Sequence, residues 1–476
     1  MKNTTTPSTV ATAMADYFLP RLLECEDFDA FEKILAKDTR LLAASCMRDC
    51  IEAFDAGLAQ SPPRGWTVRG RAERTLVTLL GRVTYKRTIF TDRAGCRRCL
   101  ADELLGVPKR SRLSSGAFLW VAYHAAELSY RKTASEFRRV SGEAISHVTV
   151  MNVVHREGAL LKSAGRGAER VSCPELFLEV DGMYVHLQKE RHLERALPRG
   201  IYEQARKTRS FELKMACLYA GKARAQNGRV RRVNLDVTCA DADADGFWEA
   251  VWDMICSDYD ERDIERVNVG SDGGGWCGPG ALSELMSAGV ELPHFLDMFH
   301  VMQAICRAFP EGQARDKAQQ LAFRGRASTL ARGCRLAAKS VVDRRRRGRV
   351  NELARYLENN AGSIRARRPS MGTMEGTNGR VGAARLKGNG RSWSRRGAEA
   401  MCLIRCAIAV GRPLVAPPKD ARLTEREKAA EDRRLATFTG SSVPESAGAG
   451  YEPRFQVQTW SLPSALRFEA RTGILR

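Results

Sequence analysis

The chain has 476 residues, 43% of them hydrophobic, and carries 77 Lys+Arg against 56 Asp+Glu for a formal net charge of +21. That length supports about two to four domains with a sizeable core. The basic excess points to a polyanionic partner, nucleic acid ahead of an anionic membrane surface. No run of roughly 18 apolar residues occurs, which argues against a membrane-spanning helix, and the opening MKNTTTPSTVATA lacks the apolar stretch of a secretory signal. A reducing, cytoplasmic setting is therefore expected for the 14 cysteines. Most of them, including Cys217, Cys306, Cys402 and Cys406, stand in apolar or helical surroundings where a thiol acts as a small hydrophobe.

In chain order, the opening residues are polar. From Met14 to Leu58 apolar residues recur at helical spacing (Phe18, Leu22, Leu23, Phe28, Phe31, Ile34, Leu35, Leu41, Leu42), which predicts two or three helices over a first region, 1–60. Ser61-Pro62-Pro63-Arg64-Gly65 breaks the pattern. RTLVTLLGRVTYKRTIFTD, Arg74 to Asp92, is rich in β-branched and aromatic residues and divided by Gly81, and reads as a β-hairpin within 61–107. Cys96-x-x-Cys99 follows without a second ligand pair at zinc-site spacing, so unliganded loop thiols are the reading. Within 108–165 three short helical patterns, with a turn at Ser141-Gly142-Glu143 before the last, fit either a helix-turn-helix that docks DNA or a plain three-helix bundle. The basic residues Arg131, Arg138 and Arg139 favour the former slightly.

Ser163 to Ala168 reads as a linker. Beyond it, in 171–305, strands are predicted at Leu176–Val180, Tyr184–Gln188, Phe211–Ala220 and Arg229–Val237, with a basic loop before the third. A helix over Ala242–Cys256, a strand ending at Asp272, a short helix and a strand ending at Leu296 complete this region. Strands first and alternation afterwards predict an α/β fold with a mixed sheet, which is also the order of an RNase H-like core. A basic helical insertion fills 306–370 and includes Arg344, Arg345, Arg346 and Arg347. Val301 to Val410 holds 24 Lys+Arg against 7 Asp+Glu, so most of the net charge is concentrated there. Such a block suits electrostatic, sequence-independent contact with a DNA backbone. Two helices are predicted in 371–412, the second capped by Ser394 with Met401, Ile404 and Ile408 inward. The tail, 413–476, contains a charged helical pattern from Thr424 to Leu435 and receives no assigned task.

Three acids stand out. Asp181 ends the apolar run LFLEVD, Asp272 ends VNVGSD ahead of three glycines, and Glu375 lies in GTMEG. Ligand sites of open α/β sheets lie beyond the carboxyl ends of strands, and Gly273, Gly274 and Gly275 let the chain turn away from the Asp272 carboxylate. Carboxylates brought together from distant elements make a hard-oxygen site for Mg²⁺ or Mn²⁺. Phosphodiester cleavage is served by two such ions about 3.5–4 Å apart. In that arrangement Asp181 bridges the pair while Asp272 and Glu375 hold one ion each. Asp181-Gly182 is equally a turn dipeptide, and Asp297-x-x-His300 is either an N-cap with a core histidine or a support for the metal ligands.

The motifs EVDGMYV, GSDGGGW, FLDMFH and TMEGTNGRVGAARLKGNGRSWSRRGAEAM, together with RTLVTLLGRVTYKR and AELSYRKTASEF, resemble those of bacterial insertion-sequence transposases of the ISLre type over about Arg74 to Val410. That resemblance implies the DDE group, an RNase H-like core and an affinity with the Mutator-like branch. It implies Asp181, Asp272 and Glu375 as catalytic metal ligands and Asp297 with His300 as the branch's Asp-x-x-His. It also implies DNA contact by Arg391, Trp393, Arg395 and Arg396. Ser271-Asp272-Gly273-Gly274 departs from the Gly-Asp-Gly-Ala common in relatives but keeps the aspartate. The function implied is binding of terminal inverted repeats, metal-assisted strand cleavage and joining of 3′-ends to target DNA by a homodimer or larger assembly. A nuclease that does not join strands and a non-catalytic DNA-binding remnant are the alternatives.

Overall fold

The computed structural model describes residues 7–108, 111–163, 170–188, 210–226, 228–369, 371–372, 374–388 and 390–416. The linker after Ser163, the basic loop after Gln188 and the charged helix expected at Thr424–Leu435 lie outside them. The described residues divide into two compact units, one up to Val153 and one from Val154 to Val415. No described helix is long and apolar enough to cross a membrane.

The first unit opens with two helices, α1 (Pro7–Glu24) and α2 (Phe28–Gln60), the second capped by Asp27. Of their apolar stripe Phe18 is buried, whereas Leu23 is 78% and Phe28 71% exposed. The expected hairpin forms as β1 (Thr67–Thr78) and β2 (Gly81–Thr91), closed tightly between Thr78 and Gly81, and β3 (Arg97–Arg98) adds two residues to its edge. Helix α3 (Leu100–Leu104) presents Asp102, onto which Arg74, Arg87 and Tyr85 converge, so a buried carboxylate is fully paired. Then come α4 (Ser115–Ala125), α5 (Tyr130–Ser141) and α6 (His147–Ser163). Gly142, left-handed at φ 77°, ends α5 as the turn required. The boundary between the units falls within α6.

The second unit is built on β4 (Glu175–His186), β5 (Ser210–Tyr219), β8 (Asp236–Ala240), β9 (Arg266–Ser271) and β10 (His294–Leu296), in the order β10-β9-β4-β5-β8. β4, β9 and β10 are mutually parallel, while β5 runs antiparallel to both β4 and β8. A separate two-stranded ribbon, β6 (Gly221–Arg224) with β7 (Val230–Val233), extends from β5.

Two expectations need correction. Leu176–Val180 and Tyr184–Gln188 are not two strands with a turn at Asp181-Gly182. β4 runs unbroken through that dipeptide, because β5 pairs with it from Phe177↔Tyr219 to His186↔Ser210. A Cβ on Gly182 would lie 2.0 Å from the Glu212 carboxylate, so the glycine serves close packing rather than a bend. Arg229–Val237 is also not one strand. Asn234, at φ 50°, interrupts it between β7 and β8.

One face of the sheet, with Leu176, Leu178 and Val180, packs on α7 (Ala244–Asp258) and α8 (Gly280–Leu285) through Phe247, Trp248 and Leu282. An insertion of four helices follows β10: α9 (Met298–Ala308), α10 (Gln313–Phe323), α11 (Ala327–Ser340) and α12 (Arg344–Asn359), around their own core of Leu330, Leu353 and Leu357. The closing segment covers the second face of the sheet. It comprises α13 (Met374–Thr377), a π-helical stretch (Asn378–Ala383), α14 (Ala384–Leu386) and α15 (Arg395–Ala409), the last capped by Ser394 as expected. Within this unit the end of α6 lies so close to α15 that a Cβ on Gly158 would sit 2.4 Å from that of Ala400.

Glu157, next to that contact, is fully buried; Oε1 accepts the Val415 amide while Oε2 has no partner among the described residues. Burial pushes its carboxyl from an ordinary 4.5 up to about 7, against the opposing Val415 hydrogen bond. Between those values the folded chain keeps a proton that the unfolded chain has lost. Stability therefore falls as pH rises through that window and is level above it. Glu157→Gln retains an acceptor for Val415 and should gain about 3 kcal/mol at pH 8 but almost nothing at pH 4, read by urea denaturation.

Candidate active site

The register of the three parallel strands lines up three aspartates. The last pairs between β4 and β9 include Glu179↔Gly270, and those between β9 and β10 end at Leu296↔Ser271. Carried forward along each strand, the ladder brings Asp181 and Asp297 level with Asp272. Asp181 reaches this row from the middle of β4, since alternation sends Val180 into the α7 face and Asp181 to the other. Asp181 is therefore not a strand-end residue, although Asp272 is.

Asp181 is 9% exposed. Its Oδ2 accepts the Asn378 side-chain amide at 2.7 Å and its Oδ1 the Gly182 amide at 2.8 Å. Burial pushes the carboxyl up and the Asn378 hydrogen bond opposes this, but the like charge of Asp272 adds to the rise, and the group stays above its ordinary range.

Asp272 is held from several sides. Its Oδ1 accepts the Gly274 amide at 2.9 Å and the Cys277 thiol at 3.3 Å, and its carbonyl accepts the Tyr356 hydroxyl of α12 at 2.8 Å. Gly273 has φ 85°, and a Cβ there would lie 2.6 Å from Leu296 and 2.8 Å from Asn360, so only glycine permits the turn. Behind it His294 bridges Ser271 and Ser363 at 2.8 and 3.0 Å.

Asp297 caps α9 by accepting the Phe299 amide at 2.9 Å and meets the His300 ring at 3.1 Å. Burial pushes the Asp297 carboxyl up, but the His300 and Phe299 hydrogen bonds outweigh it and hold it below the usual range. The Asp297 hydrogen bond raises His300 against burial, and the charges of Asp297, Asp181 and Asp272 add to that rise. The motif thus caps the helix and sets His300 in the field of Asp181 and Asp272.

Glu375 stands exposed on α13. Its approach is set by Glu179, which shares the sheet face of Asp181. The buried Glu179 carboxylate accepts the amides of Gly372 and Met374 at 2.9 and 3.2 Å and the Tyr219 hydroxyl at 2.7 Å. Asp181, Asp272, Asp297, His300 and Glu375 all line one cavity of about 270 Å³, joined by the cationic Arg368. Their oxygens are spread around it. Among the described residues, only the thiols of Cys239, Cys402 and Cys406 gather three ligand atoms within 4.8 Å of one another.

Sequence reasoning passed over Glu179, Asn378 and Arg368. The first two had a signal in period, Glu179 lying two residues before Asp181 on a strand and Asn378 one helical turn after Glu375.

The residues expected at DNA divide. Arg344, Arg345, Arg346 and Arg347 are exposed in the first turn of α12, although Arg347 also donates to the carbonyls of Val341 and Val342. Arg396 is exposed. Arg395 is exposed too but pairs with Asp241 at 2.7 Å. Arg391 donates to the carbonyls of Ala384 and Arg385 and so caps α14. Trp393 is a correction. Its ring is 8% exposed, its indole donates to Leu386, and its backbone pairs with β4 beyond His186, so it anchors the closing segment and offers no face to a nucleic acid. Cys96 and Cys99 join no ligand cluster among the described residues.

The profile of the Uncharacterised protein family (UPF0236) matches residues 24–416. Similar curated proteins include a UPF0236 protein of Caldanaerobacter subterraneus subsp. tengcongensis, 23% identical over 422 residues covering 85% of each chain. Another from that organism is 24% identical over 377 residues, 77% of this chain and 74% of the relative. A UPF0236 protein from the vanSb 3′ region of Streptococcus gallolyticus is 24% identical over 373 residues, 76% and 78% of the two chains. Among solved structures, the Drosophila P element transposase strand transfer complex aligns with a TM-score of 0.23 and 11% identity, over 77% of this chain and 94% of that one. An alignment at that score carries no inference.

Removing the Glu179 carboxylate leaves two amides and a hydroxyl without their acceptor. Glu179→Ala should cost about 3 kcal/mol or more in denaturant unfolding. Hydrogen exchange at Gly372 and Met374 should quicken, while Asp272→Asn leaves both amides protected.

Proposed function

The chain belongs to the Uncharacterised protein family UPF0236, and we propose that it is a divalent-metal-dependent DNA-cleaving enzyme of the DDE transposase kind. In this reading it binds the terminal inverted repeats of its element, hydrolyses strand ends and joins 3′-ends to target DNA. The observation that carries it is the convergence of Asp181, Asp272 and Glu375, from mid-strand, strand end and closing segment, on one cavity. A sheet of three antiparallel strands in chain order, followed by two parallel ones, supports the RNase H-like reading of the core.

The donor set fits a hard divalent cation. All three proposed ligands are carboxylates, and a bound cation would offset both the burial and the like charge of Asp272 that lift the Asp181 carboxyl. The acids' spread around the cavity suits a pair of ions better than one. Bound there, Mg²⁺ or Mn²⁺ supplies Lewis-acid charge to the scissile phosphodiester. Asp181 lies on the strand beside that of Asp272, and its donor Asn378 lies about one helical turn after Glu375. Gly274, Cys277 and Tyr356 fix the orientation of Asp272. Asp297 orients His300 toward the acids, where the ring is biased to carry a proton. Arg368 offers a cation to a phosphate entering the cavity.

The arginines that open α12 support a DNA surface for a separate reason. Cations at a helix N-terminus oppose the macrodipole and lower helix stability. A polyanion partner offsets that cost. Holding two element ends together would require at least two copies of the chain.

A labelled duplex carrying the terminal repeat that flanks the gene, incubated with Mg²⁺ or Mn²⁺, should be nicked at the repeat boundary. Asp272→Asn should lower the rate by roughly 100-fold or more, beyond the 10–100-fold typical of residues one shell removed. Nicking that survives the substitution overturns the assignment; tight binding with no cleavage by either protein favours a DNA-binding remnant. In the same system, Arg344→Ala, Arg345→Ala and Arg346→Ala combined should weaken binding to all sequences alike. The slope of log affinity against log salt should fall by up to about three.

A further inference from the structure

On the face of the sheet that carries Asp181 and Glu179, where α15 covers β8, three thiols meet. Cys239 lies on β8, and Cys402 and Cys406 lie one turn apart on α15. They are 3%, 0% and 1% exposed, and their sulfurs lie within 4.8 Å of one another. Core packing alone explains a buried cysteine, since a thiol fills the space of a small hydrophobe. It asks only for volume, however, and does not require three sulfurs from two elements to point at one another.

That convergence is what a thiophilic cation needs. With metal–sulfur bonds of about 2.3 Å, ligating sulfurs lie roughly 3.8–4 Å apart. Thiolates in a dry pocket select soft d¹⁰ ions over hydrated hard ones. Two cations stand near the thiols. The Arg405 and Arg412 guanidinium groups lie within electrostatic reach of Cys402 and Cys406.

We propose that Cys239, Cys402 and Cys406 form a site for one thiophilic d¹⁰ cation, Zn²⁺ or Cu⁺, which pins α15 to β8. Binding converts the thiols to thiolates, and their protons leave to solvent. The cation would close the sheet's edge strand onto the helix that follows Glu375, and so tie the frame of the closing segment to metal supply. This site is chemically separate from the carboxylate cavity and stands whether or not that cavity cleaves DNA.

The test uses the full chain, purified anaerobically without chelators. Elemental analysis should find about one Zn or Cu per chain, its identity deciding between the two ions. X-ray absorption at that metal's edge should show about three sulfurs near 2.3 Å. After stripping, Cd²⁺ should restore a sulfur-to-metal charge-transfer band at about one equivalent. Cys402→Ala with Cys406→Ala should lose the metal, whereas Cys46→Ala with Cys50→Ala, an exposed pair on α2, should keep it. A nitrogen- or oxygen-dominated shell overturns the site. So does folded wild-type protein that carries no metal and shows no Cd²⁺ band, or metal retained by the Cys402/Cys406 variant. The absorption measurement on wild type decides the matter if that variant does not fold.

Discussion

Strand register is the constraint on which the candidate active site depends. β4, β9 and β10 are parallel neighbours, and the offsets Glu179↔Gly270 and Leu296↔Ser271 set Asp181, Asp272 and Asp297 in one row. A slip of one residue in β4 would turn Asp181 into the α7 face and bring Val180 to the cavity. The apolar residues Leu176, Leu178 and Val180 prevent that slip, because the core they fill against Phe247 and Trp248 exists on one face only. The hydrophobic core therefore holds two carboxylates in each other's field, an arrangement that their own electrostatics oppose.

What counters that opposition comes from elements far away in the chain. Asn378 supplies a donor to Asp181, and Tyr356 of the insertion pins the Asp272 backbone. Glu179, a third buried acid, accepts the amides of Gly372 and Met374 and so becomes an anchor, and the strand that carries Asp181 thereby also positions the segment that carries Glu375. Gly382 lets the π-helical stretch lie against Met183 and Met215, where a Cβ would come within 2.6 Å of the Met183 methyl. The π geometry, of a kind common at functional sites, begins at Asn378, directly after the turn that bears Glu375.

The basic charge splits by burial rather than by sequence position. Arg344, Arg345, Arg346 and Arg396 stay at the surface, where their field can act on a polyanion. Arg391, Arg405 and Arg412, equally basic in sequence, serve carbonyls of the closing segment and the buried Asp236 carboxylate of β8. A signature rich in Arg and Trp is thus largely a device for docking that segment on the sheet.

Periodicity and turn chemistry determined much of the chain directly: the hairpin around Gly81, the Gly142 turn, the helical insertion, the Ser394 cap and the aspartate at the end of β9. These are local properties, set by backbone preference and by which residues must leave water within one element. Sequence also singled out Asp181, Asp272, Glu375, Asp297 and His300, through motifs and their resemblance. Only tertiary structure decided that Asp181 sits mid-strand, since β5 alone holds β4 straight through a dipeptide that otherwise reads as a turn. It likewise decided that Trp393 is a wedge, that Glu179 is an anchor, and that Cys239 meets Cys402 and Cys406. Each of these depends on a partner many residues away, and no local pattern encodes which distant surface a side chain will meet.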